Sequence, residues 1–529
     1  MYDLVIKQGK IVDGTGATGY IADIAIKDGK IAKIAHKIND PAARVIEAAG
    51  LVVTPGFIDM HSHSDGTCLF NKTAHNYLQQ GVTTEVMGHC GSSLVPYSEV
   101  MEEMYASMFE ETDPELVGVF RQLTSIKAFF DYIDQNGNGT NVAMFVGHGN
   151  LRVAAMGMAN RKPTDAEMEH MKQILRQAMI DGARGMSTGL IYPPGVYAET
   201  EELIELSKVV AEYGGTYCTH MRNESGRIEH SIREVMRIAR EANIAANISH
   251  LKVADPTNWG RSGEVLGLLD YANMSGLELS ADQYPYPAGS TALVNILPPW
   301  NAADGREALI AKINDPHQRE IIKQEILNNV NPGWENFFLS CGAANILIST
   351  PKVECAKNTI YLDKYAEVMG MEPIDALFDV LSKDIDTSGV YFMMNEYDIE
   401  KFMCHPYVMG GTDGMVQTRP GAGNLPRSFA TFPRIIGTYA RDRRLMRLEE
   451  CIRKLTSLPA NKARLYSKGV IKPLLDADLV IFDYATIKDN SWFGKVEAAN
   501  DGIHYVIVNG SIAVEDGKVT GALAGRAIR

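Results

Sequence analysis

Eight short apolar runs in the middle of the chain, at 52–61, 82–89, 142–148, 185–188, 216–220, 246–250, 277–283 and 407–412, each end in a polar or metal-capable residue. That recurrence constrains the fold more than any other feature. Longer segments with helical spacing lie between them, at 164–179, 201–213, 228–242, 365–381 and 432–439. Alternating strands and helices of these lengths predict β/α units and a parallel sheet, and eight such strands close a (β/α)8 TIM-type barrel of the α/β class. Such a barrel gathers its C-terminal strand ends on one face. His61 and His63, Cys90, His148, Ser187, His220, His250, Asp282 and Asp413 are therefore predicted to lie around one mouth.

Both ends of the chain read differently. Residues 2–55 hold short alternating strands with turns at Asp13-Gly14 and Asp28-Gly29, and residues 477–514 repeat the pattern with turns at Asn509-Gly510 and Asp516-Gly517. Two strand-rich ends around a middle that closes on itself predict halves of one small domain, a β-sandwich. The expected division is 1–55 and 466–529 for that domain and 56–465 for the barrel. The gap between the seventh and eighth strands exceeds what one helix needs, so residues 288–349 are a candidate insertion, with 301–349 able to cover the mouth as a lid.

A net charge of -14 argues against nucleic-acid or anionic-membrane partners, which need clustered Lys and Arg. No apolar run reaches the length of a membrane helix, and the start carries no leader pattern, so a cytoplasmic protein is expected. The seven cysteines are odd in number and lack paired spacing, which suits a reducing compartment. The sequence leaves a homo-oligomer open.

His61 and His63 are two residues apart on a strand and so point one way, half of a metal site. Imidazole and thiolate suit zinc, and Cys90 beside Gly91 can approach an ion closely. His89 is set aside because strand alternation turns it away. Asp413 is the candidate for proton transfer, because zinc lowers the pKa of water to about 7 and a neighbouring carboxylate can accept the proton.

The stretch Gly-Phe-Ile-Asp-Met-His-Ser-His at 56–63 and the eight-strand layout resemble the amidohydrolase superfamily. More narrowly, the chain resembles the N-acyl-D-amino-acid deacylases. That match rests on Gly147-His148-Gly149-Asn150, Ser-Thr-Gly-Leu-Ile-Tyr-Pro-Pro-Gly at 187–195, Thr219-His220-Met221-Arg222, Ser249-His250-Leu251-Lys252, Tyr284-Pro285-Tyr286 with Ala288-Gly289-Ser290-Thr291, and Gly411-Thr412-Asp413-Gly414. The resemblance implies a tight zinc site at Cys90, His220 and His250. It implies a weaker second site at His61 and His63, with Cys90 able to bridge. It also implies an Asp413 that moves the proton, and Tyr192, Lys252 and Arg427 around the carboxylate of a small N-acyl amino acid, with Tyr284 and Ser290 nearby.

Hydantoinases and dihydroorotases typically carry a carboxylated lysine at the fourth strand end, where this chain has Met186-Ser187-Thr188. Ala422-Gly423-Asn424-Leu425-Pro426-Arg427 departs from the family's His-Pro-His-Pro-Arg, which bears on whether Arg427 reaches the site. After Ser290-Thr291 the run Ala-Leu-Val-Asn-Ile-Leu-Pro-Pro-Trp replaces the arginine expected of enzymes that take acidic side chains, so neutral or hydrophobic substrates are expected. The alternatives are another amidase, D-dipeptidase or cyclic-amide hydrolase of the superfamily, and a non-catalytic barrel scaffold.

Overall fold

The computed structural model describes residues 1–97, 102, 113, 115–331, 333–418 and 425–529. Phe57–Asp59, Val82–Met87 and Asn141–Met144 pair in parallel in that order. Val146–Gly147, Gly185–Gly189, Thr216–His220, Ala245–Ile248, Leu279–Gln283 and Val408–Gly410 continue the parallel series. Phe145 joins the two groups by donating its N–H to Met87 O at 2.8 Å, so 141–147 is one strand interrupted at a single residue. The ring closes where Asp413 N–H donates to His61 O at 2.8 Å and His63 N–H donates to Gly414 O at 2.7 Å. This is a TIM-type arrangement of eight parallel strands.

Helices between the strands form for local reasons. Thr164 and Glu167 close a reciprocal capping box at the start of Asp165–Ile180. In Ile228–Glu241 the spacing of Ile228, Ile232, Val235 and Ala239 places one apolar stripe against the barrel.

Three expected elements differ from the structure, two of them by being divided. The first predicted strand is two, Val52–Pro55 in the terminal sheet and Phe57–Asp59 in the barrel. Gly56 turns the chain between them, where a Cβ would lie 2.1 Å from Thr83 Oγ1. His148 does not end a strand but begins the helix His148–Met156. The helix expected at 365–381 is Leu362–Met369 and Pro373–Lys383, stopped by Gly370 in the left-handed conformation and restarted at Pro373.

Strands from both ends of the chain belong to one sheet, in which Leu479–Phe482 pairs antiparallel with Val52–Pro55. Ala42–Glu47 pairs with Tyr2–Ile11 off the main path of this sheet, and side chains from its strands, including Leu4, Ile24, Ile31, Ile46, Ile481 and Ile507, share one apolar core. Asp28-Gly29, Asn509-Gly510 and Asp516-Gly517 all take positive φ, the geometry of two-residue hairpin turns.

Between the seventh and eighth barrel strands the chain builds a four-stranded sheet from Ala288–Ala292, Ile346–Ser349, Ile360–Tyr361 and Ser388–Phe392. The inserted segment therefore extends past residue 349. No helix among the described residues is long and apolar enough to cross a membrane.

Candidate metal centre

The strand ends meet as side chains, not only as backbone. His61, His63, Cys90 and Asp413 place ligand atoms within 4.8 Å of one another, and Cys90, His220 and His250 do the same. Cys90 belongs to both groups: its Sγ lies 3.4 Å from His61 Nε2 and 3.4 Å from His250 Nε2.

Backbone geometry aims these groups. Cys90 (φ 53°), His250 (φ 36°) and Asp413 (φ 49°) are all left-handed, a conformation that costs a non-glycine residue on the order of 1–3 kcal/mol. Gly91 follows the thiol where a Cβ would sit 2.5 Å from Gly189 N, so only glycine lets the two loops approach this closely. Ser187 fastens the same loop, donating its Oγ–H to Gly88 O at 2.6 Å and accepting Gly91 N–H at 3.2 Å.

The imidazoles are oriented by carboxylates behind them. His61 Nδ1 lies 2.9 Å from Asp282 Oδ1, which also accepts His250 N–H at 2.8 Å, while Asp282 Oδ2 accepts from Asn247 at 2.7 Å. His250 Nδ1 lies 3.0 Å from Glu224 Oε1. Neither ring nitrogen of buried His220 has a hydrogen-bond partner among the described residues, although its ring sits against those of His250 and Tyr192. A buried imidazole with no hydrogen bond and only a 3.5 Å approach to Glu224 Oε2, beside a thiol and a second imidazole, fits a metal ligand set.

Charge supports the same fit. Burial would push the Cys90 thiol up, but His250 and His61 outweigh it and hold the group well below its usual value, in the thiolate form that binds metals. Burial likewise opposes ionisation of Asp413, yet Arg427, His61 and His63 keep it well below the carboxylate range. His63 Nε2 is 3.0 Å from Asp413 Oδ1, and Arg427 Nη1 is 2.7 Å from Oδ2. Glu224 sits at about 2, because Lys252, His220 and His250 outweigh the effect of burial.

These groups open onto a cavity of about 770 Å³. Of the residues predicted around the mouth or in the site, His63, Cys90, Tyr192, His220, His250, Lys252, Tyr284, Ser290, Asp413 and Arg427 line it, whereas His61, His148, Ser187 and Asp282 do not. Arg427 lines the mouth, while residues 419–424, and with them the first half of the loop that departs from the family pattern, lie outside the described residues. It begins the helix Arg427–Arg434 and rests its guanidinium 4.9 Å from the centre of the Tyr284 ring. Lys252 is not a free cation, since its Nζ is 2.7 and 2.8 Å from the two oxygens of Glu224 and 2.7 Å from His250 Nδ1.

Across the cavity, the inserted sheet contributes Ala292, Leu347, Ile348 and Val390, with Phe337 and Met393 nearby. His89 stacks under His61 at 4.2 Å and does not line the cavity. His148 lies apart, bonded to Glu202 at 2.7 Å. Sequence reasoning gave Glu224 no role and named Asp282 only as a strand end. Glu224 stands in a loop after the fifth strand, and its partners are brought to it only by the fold.

The chain belongs to the amidohydrolase family, whose profile matches residues 44–283, and it is a hydrolase. It is 34% identical over 532 residues to the D-aminoacylase of Alcaligenes xylosoxydans xylosoxydans, covering 100% of this chain and 97% of the relative. A solved N-acyl-D-glutamate deacylase from Bordetella bronchiseptica, complexed with zinc and a phosphonate mimic of the tetrahedral intermediate, superposes with a TM-score of 0.81 at 32% identity, over 100% of this chain and 99% of that one. A D-aminoacylase described as having a binuclear metal centre superposes with a TM-score of 0.83 at 32% identity, over 100% of both chains.

Proposed function

We propose that this protein hydrolyses the amide bond of N-acyl-D-amino acids with neutral or hydrophobic side chains, using zinc and releasing a carboxylate and a free D-amino acid. The observation that carries this reading is that Cys90, His220 and His250 lie within reach of one ion while Asp413 faces the same cavity. In this reading Cys90, His220 and His250 hold the tighter zinc, and His61 and His63 share Cys90 at a weaker second site. Zinc, when bound, polarises the scissile carbonyl and makes water acidic enough to attack at neutral pH.

Asp413 takes the proton from the attacking water and returns it to the leaving nitrogen. Its contacts with His63 and Arg427 keep the carboxylate oriented toward the cavity. Arg427, stacked on Tyr284, offers paired donors for the substrate carboxylate, and Lys252 and Tyr192 border the same space. Ser290 lines the approach. Residues 56–465 form the catalytic barrel, and 1–55 with 466–529 form its supporting β-domain.

The side-chain preference is supported by charge. Among the described cavity-lining residues, Lys252 and Arg427 are the non-histidine cations, and each is already opposite a carboxylate. A second substrate carboxylate would be buried without a partner, at a cost of several kcal/mol. Turnover of N-acetyl-D-methionine and N-acetyl-D-glutamate by zinc-loaded protein tests this. Faster turnover of the glutamate would overturn the preference, and no hydrolysis of any N-acyl amino acid would overturn the function.

A further inference from the structure

We infer that Glu224 is a positioning residue that fixes the imidazole of His250 and the ammonium of Lys252 at once; the inference rests on the metal-dependent reading above. The two ring nitrogens of His250 face different partners. Nε2 lies 3.4 Å from the Cys90 thiol, and Nδ1 lies 3.0 Å from Glu224 Oε1. A neutral imidazole that ligates through Nε2 carries its proton on Nδ1 and needs an acceptor there to hold the tautomer and the ring plane. Lys252 Nζ, 2.7 Å from the same nitrogen, has only donors and pairs with Nδ1 only when that nitrogen is unprotonated, so in the tautomer that ligates through Nε2 the Nδ1 proton is left to Glu224. Glu224 is the acceptor the structure provides.

The same carboxylate grips Lys252 with both oxygens, at 2.7 and 2.8 Å. Lys252 is 4% exposed, so its charge is compensated by Glu224 and not by water. Glu224 is itself held from two directions. Its N–H donates to Glu335 Oε1 at 2.8 Å, and its carbonyl accepts Ala254 N–H at 2.8 Å. Glu335 belongs to the inserted segment, so the wall opposite the strand ends also sets where the carboxylate stands. Glu224 also borders the cavity and lies 3.5 Å from His220 Nε2, and the role assigned to it here is exerted through His250 and Lys252.

The test compares the parent with Glu224→Gln, Glu224→Asp and the charge-balanced double variant Glu224→Gln with Lys252→Met. Zinc affinity is measured by chelator competition, and kcat and KM on N-acetyl-D-methionine are measured at saturating zinc. Glu224→Gln is expected to weaken zinc binding by about 10- to 100-fold and to raise KM by more than it lowers kcat. Glu224→Asp, which returns an acceptor, recovers part of the zinc affinity. The double variant leaves no unpaired buried charge, melts as a folded protein and still binds zinc more weakly than the parent. A folded double variant with parental zinc affinity, or Glu224→Asp no better than Glu224→Gln, would overturn the inference. If the parent binds zinc but hydrolyses no N-acyl amino acid, the proposed function falls while the zinc titrations still decide the role of Glu224. A parent that binds no zinc overturns both.

Discussion

The strand-end wall of the cavity and the inserted wall facing it differ in backbone as well as in charge. On the strand-end side Cys90, His250 and Asp413 hold left-handed backbones, and buried imidazoles, a thiolate and carboxylates crowd within a few ångströms. On the inserted side none of the described lining residues takes a positive φ, and apolar Ala292, Leu347, Ile348 and Val390 stand among uncharged polar groups such as Ser290, Thr291, Asn295 and Ser388. Strain and desolvated charge are tolerated where surrounding structure over-determines them. Here the closed barrel supplies that restraint, and the insertion is left to shape the space opposite. In the proposed function, chemistry belongs to the first wall and selection to the second.

Replacing Cys90 by Ala strikes the strand-end wall at the group shared by both ligand sets. Its expected effect is the largest, at least about 10³-fold in kcat/KM, with zinc content reduced in elemental analysis of the purified variant. Asp413→Asn should lower kcat by roughly 10²- to 10⁴-fold while zinc is retained. Unchanged turnover in that variant would remove Asp413 from proton transfer.

Asn295, whose Nδ2 donates to Thr291 Oγ1 at 2.8 Å, lines the inserted side. Asn295→Arg should raise the rate on N-acetyl-D-glutamate relative to N-acetyl-D-methionine by about tenfold, the worth of one charged hydrogen bond. A loss on both substrates alike would break the division between the walls. Ile24, buried in the terminal sheet, supplies the smallest effect on turnover. Ile24→Ala should lower stability by about 2–5 kcal/mol in denaturant titrations and leave kcat/KM of the folded protein unchanged.

The two walls were not equally legible in the sequence. The strand-end groups stood out because His61, Cys90, His220, His250 and Asp413 each follow a short apolar run, and a parallel barrel can bring such ends together only on one face. Their supports were hidden. Glu224 meets Lys252 and His250 through loops that follow different strands, and no local pattern announces that pairing. The inserted wall was legible as a surplus of chain, but not as a sheet. Its strands come from residues 288 to 392, and their antiparallel pairing spans long stretches of sequence. Gly56 and Gly370 divided elements that periodicity had joined, because one close approach and one left-handed helix end outweigh apolar spacing.

The central claim is that distant strand ends assemble one zinc site. Diffraction from zinc-loaded crystals, recorded on both sides of the zinc absorption edge, would locate the ion directly. An anomalous peak bonded to Cys90 Sγ and to the His220 and His250 imidazoles is the expected result. Full activity in protein whose zinc lies elsewhere, or that carries none, would contradict the account.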